Sequence, residues 1–162
     1  MSVTSMDRDD ENLTMTLVAD FAAPVRTVWK MWSDPRQLEE WWGPPTYPAT
    51  VEEHELTPGG MVTYFMTSPE GDEFRGWWRV VAVDAPSSLE FVDGFAGPSG
   101  EPLPDMPSMP TKVTLSKHNG GTQMVIHTTF ASAEDMDKLV KMGMEEGLTE
   151  AVGQIDELLD AS

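Results

Sequence analysis

From Ser132 to Leu159 the chain places apolar residues at helical spacing. Met136, Leu139, Val140, Met144, Gly147, Leu148, Ala151, Ile155, Leu158 and Leu159 share one broad stripe. A chain ending in so long an amphipathic helix needs something wide and apolar for it to lie on. At about 1.5 Å per residue, the helix spans about 40 Å. Gly147 sits within the stripe and Gly143 on its flank. A glycine inside a helix costs about 1 kcal/mol against alanine, so these two imply a demand for space. Either the helix approaches its support closely, or a hollow is kept beneath it.

The rest of the chain reads as that support. Leu13 to Phe21 alternates, with Leu13, Met15, Leu17, Ala19 and Phe21 on one face of a strand. Pro24 opens a short helix whose Val25, Val28, Trp29 and Trp32 share a side, and Ser33-Asp34-Pro35 restarts it with a capping side chain before proline. Gly43-Pro44-Pro45 ends that segment. Strands follow over 50–56, 61–67, 73–83, 89–94, 112–117 and 122–130, separated by turn residues. Asn119-Gly120-Gly121 is the clearest hairpin among them. Ser132 and Asp135 form an approximate capping box for the last helix. Hairpin succession predicts an antiparallel sheet with one face to cover, and the terminal helix is the element long enough to cover it. The fold class is α+β.

Composition narrows the function. With 28 acidic residues against 10 basic, the net charge of −18 disfavours nucleic acid and anionic membranes as partners. No cysteine is present, which excludes disulfides, thiolate metal sites and cysteine nucleophiles. No apolar run is long enough for a membrane-spanning helix. Residues 1–12 read as a flexible acidic tail, 13–160 as a single domain, and the location as cytoplasmic. The loop from Phe95 to Pro110 is long for a hairpin connection and is a candidate lid.

Six short stretches occur in a familiar order: Ala23-Pro24-Val25-Arg26-Thr27-Val28-Trp29, Ser33-Asp34-Pro35, Trp41-Trp42-Gly43-Pro44, Pro58-Gly59-Gly60, Gly76-Trp77-Trp78 and Gly143-Met144-Glu145-Glu146-Gly147-Leu148. Together they resemble the activator of heat-shock-protein-90 ATPase homologue C-terminal-domain-like family, in the START-like (SRPBCC) helix-grip superfamily. The resemblance runs from about Leu13 to Leu159. It implies a curved antiparallel sheet of about seven strands around a long C-terminal helix, with two short helices after the first strand and a cavity for apolar ligands. Ala19 stands where many relatives carry arginine, so any role of that arginine is absent.

Strand parity fills in the cavity wall. If Tyr64 faces the helix, then Val62 and Met66 do too, with Trp78, Val80, Leu89, Phe91, Val113, Leu115, Met124, Ile126 and Thr128 on neighbouring strands. The candidate ligand-binding residues are Trp41, Trp42, Tyr64, Met66, Trp78, Phe91, Met124, Ile126, Met144, Gly147 and Leu148. Methionine adapts its shape and contacts rings favourably, which suits irregular apolar guests. Trp41 and Trp42 point about 100° apart on a helix, so at most one enters the core squarely. His54 shares a strand side only with Glu52, His118 adjoins a turn, and His127 opposes the core parity. No catalytic triad motif, metal-ligand spacing or cofactor loop is present.

The leading expectation is a non-enzymatic protein holding a small, largely apolar molecule between sheet and helix, without cofactor or metal. Two alternatives stand beside it. One is a chaperone-associated regulator, implied by the resemblance. The other is a cyclase- or hydrolase-like enzyme using Tyr64 or His54 as acid or base in the same cavity. The tryptophan pair or the long loop is also available to a symmetric homodimer.

Overall fold

The computed structural model describes residues 3–161. One antiparallel sheet carries eight strands in the order β1-β2-β8-β7-β6-β5-β4-β3. The strands are β1 (Val3–Asp9), β2 (Thr14–Phe21), β3 (Ala49–His54), β4 (Met61–Thr67), β5 (Glu73–Asp84), β6 (Ser88–Ala96), β7 (Met109–His118) and β8 (Gly121–Thr129). Between β2 and β3, helices α1 (Val25–Ser33) and α2 (Pro35–Trp41) carry the chain across one face to the far edge. From β3 the strands return in hairpin succession until β8 pairs with β2.

Local chemistry accounts for these elements. The Asp34 carboxylate accepts from the Arg36 amide at 2.9 Å, and Pro35 occupies the first turn of α2. Asn119 and Gly120 both take positive φ, 49° and 80°, which gives the two-residue turn that closes β7 on β8. Register irregularities fall at Val51/Glu53 and Val80/Ala82. An extra residue of this kind bends its strand and increases the local twist, which curls the sheet toward its helices.

The inner face follows the expected alternation. Val62, Tyr64, Trp78, Val80, Leu89, Phe91, Val113, Leu115, Met124, Ile126 and Thr128 are all buried. The buried core divides into two apolar groups. One gathers the tryptophans of α1 and α2 onto β4, β5 and β6; the other collects Met15, Met109, Phe130, Met136 and Leu139.

Two expectations need correction. The segment read as a tail contains β1, which pairs with β2 along Met6↔Leu17 and Arg8↔Met15; Met1 and Ser2 lie outside the described residues. Its burial lacks a period-two pattern because β1 is an edge strand held chiefly by main-chain bonds to β2.

The terminal helix is also not a single rod. It comprises α3 (Ala133–Lys141), α4 (Met144–Gly153) and α5 (Ile155–Ala161). The first break is at Gly143, with φ 90° and ψ 23°. Its amide bonds the Val140 carbonyl at 3.0 Å to close α3, while its own carbonyl accepts from Gly147 at 2.8 Å to start α4. Segmentation lets the chain turn around the curved sheet, where a straight helix would leave its rim. None of the helices is long and apolar enough to cross a membrane among the described residues.

The two glycines therefore have opposite reasons. Gly143 needs the left-handed region, so Gly143→Ala should lower stability by about 1–2 kcal/mol. Gly147 continues α4, and a Cβ there meets nothing within 4 Å. Gly147→Ala should be neutral or stabilising by up to about 1 kcal/mol. Urea unfolding of both variants tests this; equal losses would contradict the assignment.

Candidate functional site

The aromatic half of the interior is built by α1 and α2. Trp29 and Trp32 lie on the buried side of α1 with Val28 and Met31, while Leu38 and Trp41 anchor α2. Their rings interlock with the sheet. Trp32 meets Trp41 edge-on at 4.7 Å between centroids, and Trp78 stacks on Phe91 at 4.0 Å. Trp42 stands edge-on to Trp78 at 4.8 Å and to Tyr64 at 6.0 Å. Trp41 is wholly buried and Trp42 only partly, as their angular separation on a helix requires. Both rings pack against Trp32. Gln154, after α4, donates to the carbonyls of Trp41 and Gly43 at 3.3 and 2.7 Å and ties the helical segment to this group.

Within the candidate set, Trp41, Trp78, Phe91, Met124 and Ile126 form a tightly packed floor. Met66, Met144, Gly147 and Leu148 remain only partly buried, with Trp42. That contrast locates the open part of the interior. Met144, Gly147 and Leu148 project from one side of α4, the side that continues as buried Ala151 and Val152. Yet none of the three is buried, and the space beside Gly147 is empty to 4 Å. Leu148 packs against both apolar groups and Met144 against the second, while a Cβ at Gly147 would meet open space.

A polar pair, missed by sequence reasoning, lies on this floor. Asp93 pairs across the sheet with Trp78 on one side and Met109 on the other, at the seam between the two apolar groups. Tyr64 donates its hydroxyl to Asp93 Oδ1 at 3.0 Å. Gly76 makes this reach available: a Cβ there would collide with the Tyr64 ring and hydroxyl. Burial pushes the Asp93 carboxyl up to about 7, against the opposing pull of the Tyr64 hydroxyl and the Gly94 amide. Burial and the neighbouring Asp93 charge raise the Tyr64 phenol. The indole Nε1 atoms of Trp42 and Trp78 are buried without a hydrogen-bond partner. Each such orphan costs about 1–3 kcal/mol. The signal for Asp93 was legible: Phe91, Asp93 and Phe95 share one strand parity, so a carboxylate sits among inward positions.

Other candidates fall outside the site. His54 Nε2 lies 3.0 Å from the Trp32 carbonyl and links α1 to β3. His127 bonds Thr16 across β2 and β8 at 3.0 Å. A cleft of about 480 Å³ opens beside Glu52, Glu53, Thr63, Tyr64, Arg75, Gly76, Ala96 and the 98–100 turn. Thr63 and Arg75 alternate with Tyr64 and Gly76 along β4 and β5, and residues of both parities line this cleft. The long loop is pinned there, with Gly97 donating to Glu101 at 2.8 Å and Leu103 to Phe95 at 2.9 Å.

A curved antiparallel sheet closed on one face by short helices and a C-terminal helical segment is a helix-grip fold. The chain belongs to the family described as Activator of Hsp90 ATPase homolog 1-like protein, whose model matches residues 22–160. It is similar to protein Ms6760 from Mycobacterium smegmatis, at 48% identity over 99% of this chain and 98% of that one, with a TM-score of 0.92. A protein from Arthrobacter aurescens is also 48% identical, covering 99% of this chain and 94% of its own, with a TM-score of 0.95. The AHSA1 protein from Silicibacter pomeroyi shares the fold at 19% identity and a TM-score of 0.74, over 91% of this chain and 98% of that one. No match is found among curated proteins.

The Asp93 environment makes a signed prediction. The folded carboxyl holds its proton more tightly than the unfolded one, raised from the ordinary 3.8 up to about 7. Its favourable contribution is therefore complete below about pH 4 and lost as pH rises to 7. Asp93→Asn should exceed the wild type in stability at pH 8, on the order of 1–3 kcal/mol after allowance for partial exposure. That advantage should vanish by pH 4. Urea unfolding across this range checks it; a difference independent of pH would contradict it.

Proposed function

We propose that the protein binds a small, largely apolar molecule between the aromatic floor of the sheet and the first turns of α4. The observation that carries this reading is the open space beside Gly147. An amphipathic helix stabilises a fold by burying its apolar side, yet Met144 and Leu148 are only partly buried and a Cβ at Gly147 would meet open space. The surrounding side chains suit an irregular apolar guest: Trp42, Tyr64 and Met66 from below, Met144 and Leu148 from above. Family membership supports a ligand-holding role for this face, since the helix-grip arrangement places a sheet and helix around a common interior.

A second reading, acid–base catalysis in the same space, is favoured by one observation. Asp93, with its carboxyl at about 7, holds a shareable proton near neutral pH beside Tyr64. It requires a substrate that reaches the pair, and so it depends on the binding site being real.

Titration with a neutral apolar fluorophore such as N-phenyl-1-naphthylamine should give saturable one-to-one binding and quench the tryptophan emission of the floor. Gly147→Trp should weaken that binding at least about ten-fold by filling the space, with an unchanged far-ultraviolet circular dichroism spectrum. Equal affinity in the folded variant would contradict the location.

A further inference from the structure

Asp93 places a carboxyl group on the inner face of the sheet, between Phe91 and Phe95. The Trp78 and Phe91 rings beside it are sealed, but Asp93 is only partly buried, so a water-sized molecule reaches it. Phe95, two residues along the same face, packs with the group that holds Met144 and Leu148. All three are partly buried as well. The carboxyl therefore lies on the side of the seam that α4 leaves incompletely covered.

Its surroundings supply donors but no counter-ion. One oxygen accepts from the Tyr64 hydroxyl at 3.0 Å, and the Gly94 amide lends a second donor. A carboxylate has about four acceptor positions, so capacity remains. β5 and β7 set Trp78 and Met109 directly opposite, and of these neighbours only Tyr64 titrates. The charges of the helices above are paired or turned outward: Glu145 meets Arg8, while Asp137, Lys138, Lys141 and Glu146 are exposed. Among the described residues Asp93 enters no ion pair, and no lysine or arginine is buried. A carboxylate in such a setting is costly unless a cation joins it or a proton neutralises it.

We propose that Asp93 is the polar anchor of the ligand site and holds the ammonium group of an otherwise apolar amine. The inference rests on the ligand-binding reading above and names the chemistry of that ligand. An ammonium brings both the missing charge and hydrogen-bond donors for the unused carboxylate positions. The neighbouring aromatic rings attract cations, and the net charge of −18 concentrates them near the protein. An anion would meet a carboxylate with no base to offset it. A metal ion is disfavoured because no group of three His, Cys, Asp or Glu side chains is placed to hold one among the described residues. Where the carboxyl starts protonated, its proton passes to solvent as the ammonium takes its place. With the carboxyl at about 7, binding at pH 7 releases about half a proton per amine.

Naphthylethylamine and naphthylethanol share one apolar body and differ at the polar end, an ammonium against a hydroxyl. Isothermal titration calorimetry should show the amine binding more tightly than the alcohol at pH 8. That preference should grow about ten-fold from pH 6 to pH 8 as the carboxyl ionises. Titrations in buffers of different ionisation enthalpy should count the released proton. Asp93→Asn should abolish both the proton release and the pH dependence, and cut the preference at least about ten-fold. Tyr64→Phe removes a hydrogen bond that favours the ionised carboxyl, so it should move the midpoint of the pH profile upward. An amine held only by the general negative charge would keep its preference in Asp93→Asn, and that result would overturn the proposal. Equal affinities of the wild type for the two probes would overturn it too and leave the binding site standing. Binding of neither probe would overturn both.

Discussion

The tryptophan group between α1, α2 and the sheet is the constraint on which the rest depends. Trp32, Trp41, Trp42 and Trp78 with Phe91 interlock at one end of the concave face. Each buried ring removes on the order of 150–250 Å² from water, which makes this plug a large share of the apolar driving force. It also sets the height of what lies above it. The last turn of α4 and the start of α5 settle against it through Ala151, Val152 and Ile155, while Met144, Gly147 and Leu148 in the earlier turns stay only partly buried.

The other end is closed differently. Met15, Met109, Phe130, Met136 and Leu139 seat α3 on the sheet, and the glycine break lets α4 depart in a new direction. Arg8 on the edge strand pairs with Glu145 in the first turn of α4 at 3.1 Å and holds that turn from outside. The segment is thus fastened at both ends and at its outer edge, with Gly147 leaving open space between them. The negative charge of the chain lies outside this interior, where Asp93 is the exception, and that carboxyl is held close to neutrality by its surroundings.

Much of this architecture was legible because it rests on local, periodic signals. Alternation placed Met15 to Phe21 and Met124 to Thr128 on inner faces, and Asp34-Pro35 and Asn119-Gly120 marked a helix start and a hairpin through their own geometry. The strand β1 was hidden because its bonds are main-chain and its partner lies across a turn; Val3 to Asp9 shows no hydrophobic alternation. The helix break was hidden because apolar spacing resumes beyond Gly143 in nearly the same phase, and a positive φ leaves no mark in a pattern of apolar residues. The aromatic floor was foreseen as a set of positions. Its filling was not, since ring-to-ring distances depend on how α1 and α2 cross the sheet. Asp93 escaped because the inward run on its strand was followed only as far as Phe91.

The central claim is that the interior keeps a space for a guest beneath the first turns of α4. Crystals of the protein pressurised with xenon, which occupies apolar cavities without needing a hydrogen-bond partner, test it directly. The account predicts xenon density beside Gly147, bounded by Met144, Leu148 and the aromatic floor. A pressurised crystal with no xenon there, and those side chains closed over the gap, would contradict it.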